Sequence, residues 1–244
     1  MELSLPYVNN YINTFQEARH IPRVTIDLMS DEARNNPYYQ NIVQEFYRDA
    51  RRLHRKFPLV RQLQWGVALC QLPESFDKYF MVLEGAARRN YKKAKRLGYE
   101  FRPLDYNNHL DEVTAIWRST TVRQGEMPKD FLTQDAKPHS NPPSTSSTHD
   151  YPYFGVFNAD GELRAYASCM VAGELCMIEH IYGHAKYQSD GYVPMLIISM
   201  GEYLYQHHPK VKYYGYGTYF GASNTMKRFK RKFAFTPHKV SWVL

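Results

Sequence analysis

The sequence predicts a mixed α/β (α+β) fold: a mostly antiparallel central sheet flanked by helices, with an α/β extension at the N-terminal end. Two observations carry this. From Tyr153 onward, three apolar segments are joined by the short turns "NADGE" (Asn158–Glu162) and "AGE" (Ala172–Glu174), the pattern of an antiparallel meander with Asp-Gly turn chemistry. Before and after it come strong helical signals: Glu84–Leu97 repeats Ala87, Tyr91 and Ala94 at helical spacing among six cations, and Asn224–Lys232 is a second basic helix.

The elements follow in order. Asp31–Phe57 is helical in composition and Gln64–Cys70 reads as a buried strand; Pro73 then breaks the pattern before Tyr79-Phe-Met-Val-Leu. Gly98 is placed to stop the helix that begins at Glu84. Tyr99–Pro103 alternates as a short strand, and a helix over about Leu110–Thr121 leads into "RQGEM". Thr133–Asp150 is rich in Pro, Ser and Thr and poor in large apolar groups, which predicts a mobile loop. The meander strands are Tyr153–Phe157, Leu163–Val171 and Leu175–Tyr182, followed by a loop, a helix over about Val193–His207 and a strand over Val211–Tyr216. The second basic helix and the strand Lys239–Leu244 complete the order. The expected division is an extension or partial second half over 1–83 and a main domain over 84–244.

Composition narrows the function classes. With 244 residues, 43% of them hydrophobic and 15% aromatic, a core is available and wholesale disorder is excluded. A net charge of +7 favours a polyanionic partner, and 21 tyrosines supply rings that stack on bases or line a polar cleft. Nucleic acid, DNA or tRNA, is the expected partner. The three cysteines (Cys70, Cys169, Cys176) have no metal-type spacing, so no metal is expected and the thiols read as reduced. Met1-Glu-Leu-Ser-Leu-Pro lacks the basic start and apolar core of a signal peptide, and no window approaches the roughly 20 apolar residues of a membrane span. A soluble, cytoplasmic protein is expected.

From Glu84 the order is helix, strand, helix, loop, three-strand meander, loop, helix, strand, helix, strand. That order, with "RRNYKKAKRLGYEF", "GVFNADGELRAYASCMVAGELCMIEHIYGHA" and "ASNTMKRFKRKFAFTP", resembles the GNAT superfamily of N-acetyltransferases, and more closely its FemAB-like acyl- and aminoacyltransferase branch, over about residues 85–244. The resemblance implies an acyltransferase using acetyl-CoA or another acyl-CoA, with aminoacyl-tRNA as the alternative donor. In the family, a Q/R-x-x-G-x-G/A loop after the fourth strand binds the coenzyme A pyrophosphate on backbone N–H groups at the next helix's start, where unpaired amides and the helix dipole favour an anion. Here that run is Gln188-Ser-Asp-Gly191-Tyr-Val193: Gln188 and Gly191 match, Val193 stands at the last small position, and Asp190 adds a negative charge. The implied cofactor contacts are Ile181, Tyr182, Gln188, Ser189, Gly191, Tyr192, Ser223 and Asn224.

Acyl transfer to an amine needs a proton acceptor and donors for the oxyanion. On the fourth strand, Glu179 is the first candidate base, sharing a face with Met177 and Ile181; His180 and His184 are rivals. In a regular strand, Glu179 and His180 point to opposite faces. The family's Tyr on the last helix is replaced here by Phe229 or Lys230, leaving Tyr219, with Tyr216, as the candidate acid. Ser119, Arg123 and Gln124 fall in the family's acceptor-covering region. The leading expectation is transfer of an acyl group to an amine on a nucleic-acid base, as in DNA modification. Aminoacyl transfer from tRNA to a peptide or glycan amine, and an inactive nucleic-acid-binding module, are the alternatives.

Overall fold

The computed structural model describes residues 19–53, 61–123, 126–140, 142–144 and 146–244. Its strands are β1 (Arg23–Asp27), β2 (Trp65–Gln71), β3 (Glu100–Pro103), β4 (His149–Asp150), β5 (Tyr153–Phe157), β6 (Leu163–Ala172), β7 (Leu175–Gly183), β8 (Tyr213–Thr218) and β9 (Thr236–Val243). Its helices are α1 (Pro37–Ala50), α2 (Phe76–Val82), α3 (Gly85–Arg96), α4 (Leu110–Arg118), α5 (Lys129–Thr133), α6 (Tyr192–His207) and α7 (Asn224–Lys232). Short 3-10 turns occupy Ser30–Ala33, Tyr106–His109 and Ala185–Asp190.

Among the described residues the strands form one sheet in the order β1-β9-β2-β8-β7-β6-β5-β3, with β4 extending the β5 side of β6. All neighbours are antiparallel except β1–β9 and β7–β8. Strands from both sides of residue 84 therefore share this sheet.

Local chemistry sets the element ends. Pro37 opens α1, whose start is capped by the Asn36 side chain. Ser75 and Ser223 cap α2 and α7 through their hydroxyls. Gly98 takes φ +78 directly after α3, a conformation in which a Cβ is strained.

The sheet is packed on both faces. One face meets α2, α3, α6 and α7 in a core that includes Tyr79, Ala87, Tyr91, Ala94, Leu196, Ile197 and Phe233. On the other face, Val43 of α1 packs over Val67, Leu69, Met170, Leu175 and Met177. Farther along that face, Val113 and Ile116 of α4 pack over Phe157, Leu163 and Tyr166. Burying each such aliphatic or aromatic side chain contributes about 1.5–3 kcal/mol. Tyr166, Ser168, Met170 and Ala172 fall on one side of β6 by alternation. The apolar surface between the α1 and α4 clusters is thus interrupted by a polar residue, Ser168, which is fully buried.

The 133–150 segment, expected as a mobile loop, is tied to this face at several points. Ala136 N donates to Thr114 Oγ1 at 2.9 Å, and Asp135 pairs with Arg118 at 2.9 Å. The Asn107 side chain brackets the His139 peptide at 2.9 and 3.0 Å. Tyr38 and Tyr39 of α1 donate to Ser140 O and Pro142 O. Five short polar links hold what composition alone presents as free chain.

Candidate active site

The parallel ladder between β7 and β8 covers only Leu175–Tyr213, Cys176–Tyr214 and Met177–Gly215. Beyond it the strands part, and Met177 lies at the fork. Its methyl group occupies the space a side chain at Gly215 would need, and its sulfur accepts the Gly217 N–H at 3.3 Å. On the far side, Lys230 Nζ donates to Tyr216 O and Thr218 O, each at 2.6 Å. These β8 backbone groups lie past the last β7 pair, and protein atoms supply their partners.

The parting opens a cavity of about 300 Å³ lined by Arg123, Glu126, Met127, Glu179, His180, Ile181, Tyr182 and Tyr216. Here β7 is bulged: Ile178 pairs with Cys169 and His180 with Ser168, so Glu179 has no ladder partner on β6. An extra residue shifts the alternation by one. Glu179 and His180 consequently line the same cavity, correcting the expectation that they face opposite ways. Ile181 moves in turn to the opposite face from Met177, joining the α6-side core, so it does not share a face with Met177.

Glu179 is exposed and accepts from Tyr151 Oη at 2.5 Å. Burial and the Glu179 charge raise the Tyr151 pKa beyond the phenol range, which keeps it a donor. His180 Nδ1 lies 3.1 Å from Ser168 Oγ. The ring borders the cavity, but surrounding protein desolvates it and lowers its pKa, an effect partly offset by Glu179 and reinforced by His139. His180 is therefore neutral at pH 7. In the tautomer that donates Nδ1–H to Ser168, Nε2 holds the lone pair.

Arg123 fixes the cavity wall. Its guanidinium donates to Gly183 O and Ile116 O, each at 2.7 Å, and to Ser119 Oγ at 3.3 Å, and it lies over the Tyr182 ring. Ser119 sits behind it, donating to Ile116 O and accepting from Ala185 N. Gln124 lies outside the described residues. His184 caps the following 3-10 turn through Nδ1 and does not line the cavity. Tyr219 is buried against Phe220, with its N–H on Gly66 O, and is likewise absent from the lining. Of the two candidate acids, Tyr216 is the one that lines the cavity.

The Gln188–Val193 run leaves a 3-10 turn and enters α6 through Gly191. Gly191 has φ +86, and a Cβ there would lie 2.3 Å from Asn90 O of α3, so backbone fills the space beside it. Asp190 accepts from Tyr99 Oη at 2.8 Å and from Ser189 Oγ at 3.4 Å, placing a carboxylate at the start of α6. Lys93 donates to Ser189 O at 2.7 Å. Tyr192 is fully buried against Gly183, with its hydroxyl on His184 O. Pro194 removes one first-turn N–H. Asp190 puts negative charge just before the helix start, while no side chain caps the first N–H groups of α6. Ser223 Oγ accepts from Met226 N as the cap of α7, and Asn224 is exposed at that helix's first position.

Lys230 and Glu126 are site features that single-position reading passed over. Lys230 is buried, lies 4.8 Å from the Tyr216 ring centroid, and has its pKa lowered by burial to about 8. A lysine flanked by Phe229 and Phe233 on a basic helix is the available signal: the helical repeat turns that position inward.

No family model matches the sequence, and no curated protein matches it. In solved structures, FemX superposes over 96% of this chain and 75% of its own at TM-score 0.58 and 9% identity. L-PGS from Bacillus licheniformis (TM-score 0.45, 15% identity) and the C-terminal domain of a putative lysylphosphatidylglycerol synthetase from Agrobacterium fabrum (TM-score 0.44, 16% identity) each match 71% of this chain. The chain spans 58% of the length of each of these two. With its mostly antiparallel sheet, its forked parallel pair and the superposition on FemX, the chain has a GNAT-like mixed α/β fold.

Proposed function

We propose that the protein is an acyltransferase that moves an acyl group onto an amine in the fork between β7 and β8, with the donor carried on a nucleic acid. The observation behind this reading is the end of the β7–β8 ladder at Met177–Gly215, followed by a bulge that turns Glu179 and His180 into one cavity. The Glu179 carboxylate attracts the incoming ammonium group. His180 Nε2 takes the proton as the amine nitrogen bonds to the acyl carbon. Backbone dipoles of β7 past its last pair with β8 and the fixed Arg123 cation oppose the charge that develops on the acyl oxygen. The bond from acyl carbon to the donor's oxygen then breaks, and the departing hydroxyl recovers a proton.

The donor assignment rests on two features. Asp190 beside the start of α6 and the N–H that Pro194 lacks weaken an anion site there, which disfavours acyl-CoA. The two basic helices also meet: the Glu84 N–H at the start of α3 donates to Lys232 O, and Glu84 pairs with Arg228 at 2.9 Å. Neither helix contains an acidic residue. Lys230 of α7 contacts the ring of Tyr216, which lines the cavity, and the cations around it suit a phosphate backbone ending in an acyl ester. Aminoacyl-tRNA is such a donor, and its use places the activity in the cytoplasm. The same surface suits the second reading, an amine on a modified DNA or RNA base as acceptor.

Labelled aminoacyl-tRNA and labelled acetyl-CoA, each offered with simple amines and with amine-bearing DNA, separate these readings. The expected result is transfer from aminoacyl-tRNA that falls by about 10²–10⁴ in His180→Gln. Transfer from acetyl-CoA would overturn the donor, and tRNA binding with no transfer to any amine would reduce the protein to a binding module.

A further inference from the structure

A second hollow, of about 250 Å³, lies on the same face of the sheet and is lined by Leu104, Asp105, Tyr106, Asn107, His139 and Tyr153. No lysine or arginine is in its wall, so it offers nothing to a phosphate or carboxylate. Its rings are closely grouped: Tyr106 lies 4.9 Å from both His139 and Tyr153, measured between centroids. The near-parallel His139 and Tyr153 rings stand 6.2 Å apart, less than the roughly 7 Å that a third stacked ring requires at about 3.5 Å per contact. A third ring therefore does not stack between them. The Asp105 carboxylate at the rim supplies negative charge, and tyrosine faces attract cations.

The hollow is built and connected. The bracketing of the His139 peptide by Asn107 fixes that ring over the others. Tyr106 contacts Tyr166 at 5.9 Å, and Tyr166 contacts Tyr182 of the active cavity at 5.6 Å. Tyr153 contacts Tyr151, whose hydroxyl is on Glu179. Ring contacts among tyrosines thus link the wall of this hollow to Tyr182 and to Tyr151 on Glu179.

We propose that this hollow is the distal subsite of the acceptor and holds a second ammonium group, making the preferred acceptor an aliphatic diamine or polyamine. The acceptor's near amine meets Glu179 and His180 while its far, charged end rests among Tyr106, His139 and Tyr153 beside Asp105. This deepens the acyl-transfer reading and rests on it for the word acceptor; the binding site itself is tested without turnover.

Calorimetric titration of the full chain with straight-chain α,ω-diamines of increasing length, and with the matching monoamines, is the test. Diamines of one optimal length should bind at least tenfold more tightly than their monoamine partners. Asp105→Asn and His139→Ala should each abolish that preference with unchanged Tm, because Asp105 and His139 are exposed and the substitutions leave the peptide bracket in place. Equal binding of diamines and monoamines, or a preference that survives both substitutions, would overturn the proposal. A diamine preference that depends on Asp105, in a protein that acylates nothing, would uphold the subsite and remove only the catalytic reading.

Discussion

Lys230 carries an ammonium group into the body of the protein and gives it two backbone carbonyls, Tyr216 O and Thr218 O. Lys230→Met should leave both without this donor and cost about 1–3 kcal/mol for each acceptor left unpaired, read from the urea midpoint. The group also links stability to pH. Burial lowers its pKa from 10.5 to about 8, so between those values the unfolded chain binds more protons than the folded one. Stability therefore rises with pH across that window, and the difference between wild type and Lys230→Met should show the rise disappearing. His180 makes the second residue-level prediction. Its pKa lies below the ordinary 6.5, and only the neutral ring accepts a proton. The acid limb of kcat/KM should fall below pH 6.5, and Glu179→Gln should move it lower still, because the Glu179 charge raises this pKa.

At the level of elements, the bulge in β7 decides what the fork contains. Deleting Glu179 restores regular alternation against β6 and leaves His180 in the cavity without the carboxylate beside it. Activity should be lost while circular dichroism and cooperative unfolding persist; a deletion variant with normal turnover would show that the bulge has no part in the reaction. Most elements were legible in the sequence because their signals are local. The stripe Ala87, Tyr91, Ala94 gives α3, Ser223 marks the start of α7, and the Asp-Gly turn gives the β5–β6 hairpin. The bulge was not legible, since nothing in "MIEHIY" distinguishes one extra residue from regular pairing; the register with β6 decides it. The surroundings of the α6 start were not legible for a related reason. Gln188 and Gly191 suit a phosphate loop, but whether Gly191 faces open space or Asn90 O depends on α3, about a hundred residues earlier.

On the scale of the whole molecule, charge and aromatic surface are divided between the two faces of the sheet. The cations of α3 and α7 lie on the face that holds α2 and α6, and the hollow beside Asp105 and its tyrosine cluster lie on the other. Binding to tRNA should weaken steeply with salt: a footprint of about six phosphates gives a slope near −4 in log K against log salt for single strands and about −5 for duplex. Replacing Lys92, Lys95 and Arg96 with Gln should flatten the slope by about 2–3, and a slope unchanged by these three substitutions would place the polyanion elsewhere. Composition announced a basic protein, but the meeting of two helices more than a hundred residues apart is a product of topology. The same holds for β9, which lies between β1 and β2 and pairs with both. During synthesis at about 5–20 residues per second, β1 waits roughly 10–40 s before β9, its one partner strand among the described residues, leaves the ribosome. Through that interval its exposed edge is open to the wrong neighbour, so this protein should depend on chaperones early in life and be most easily lost there.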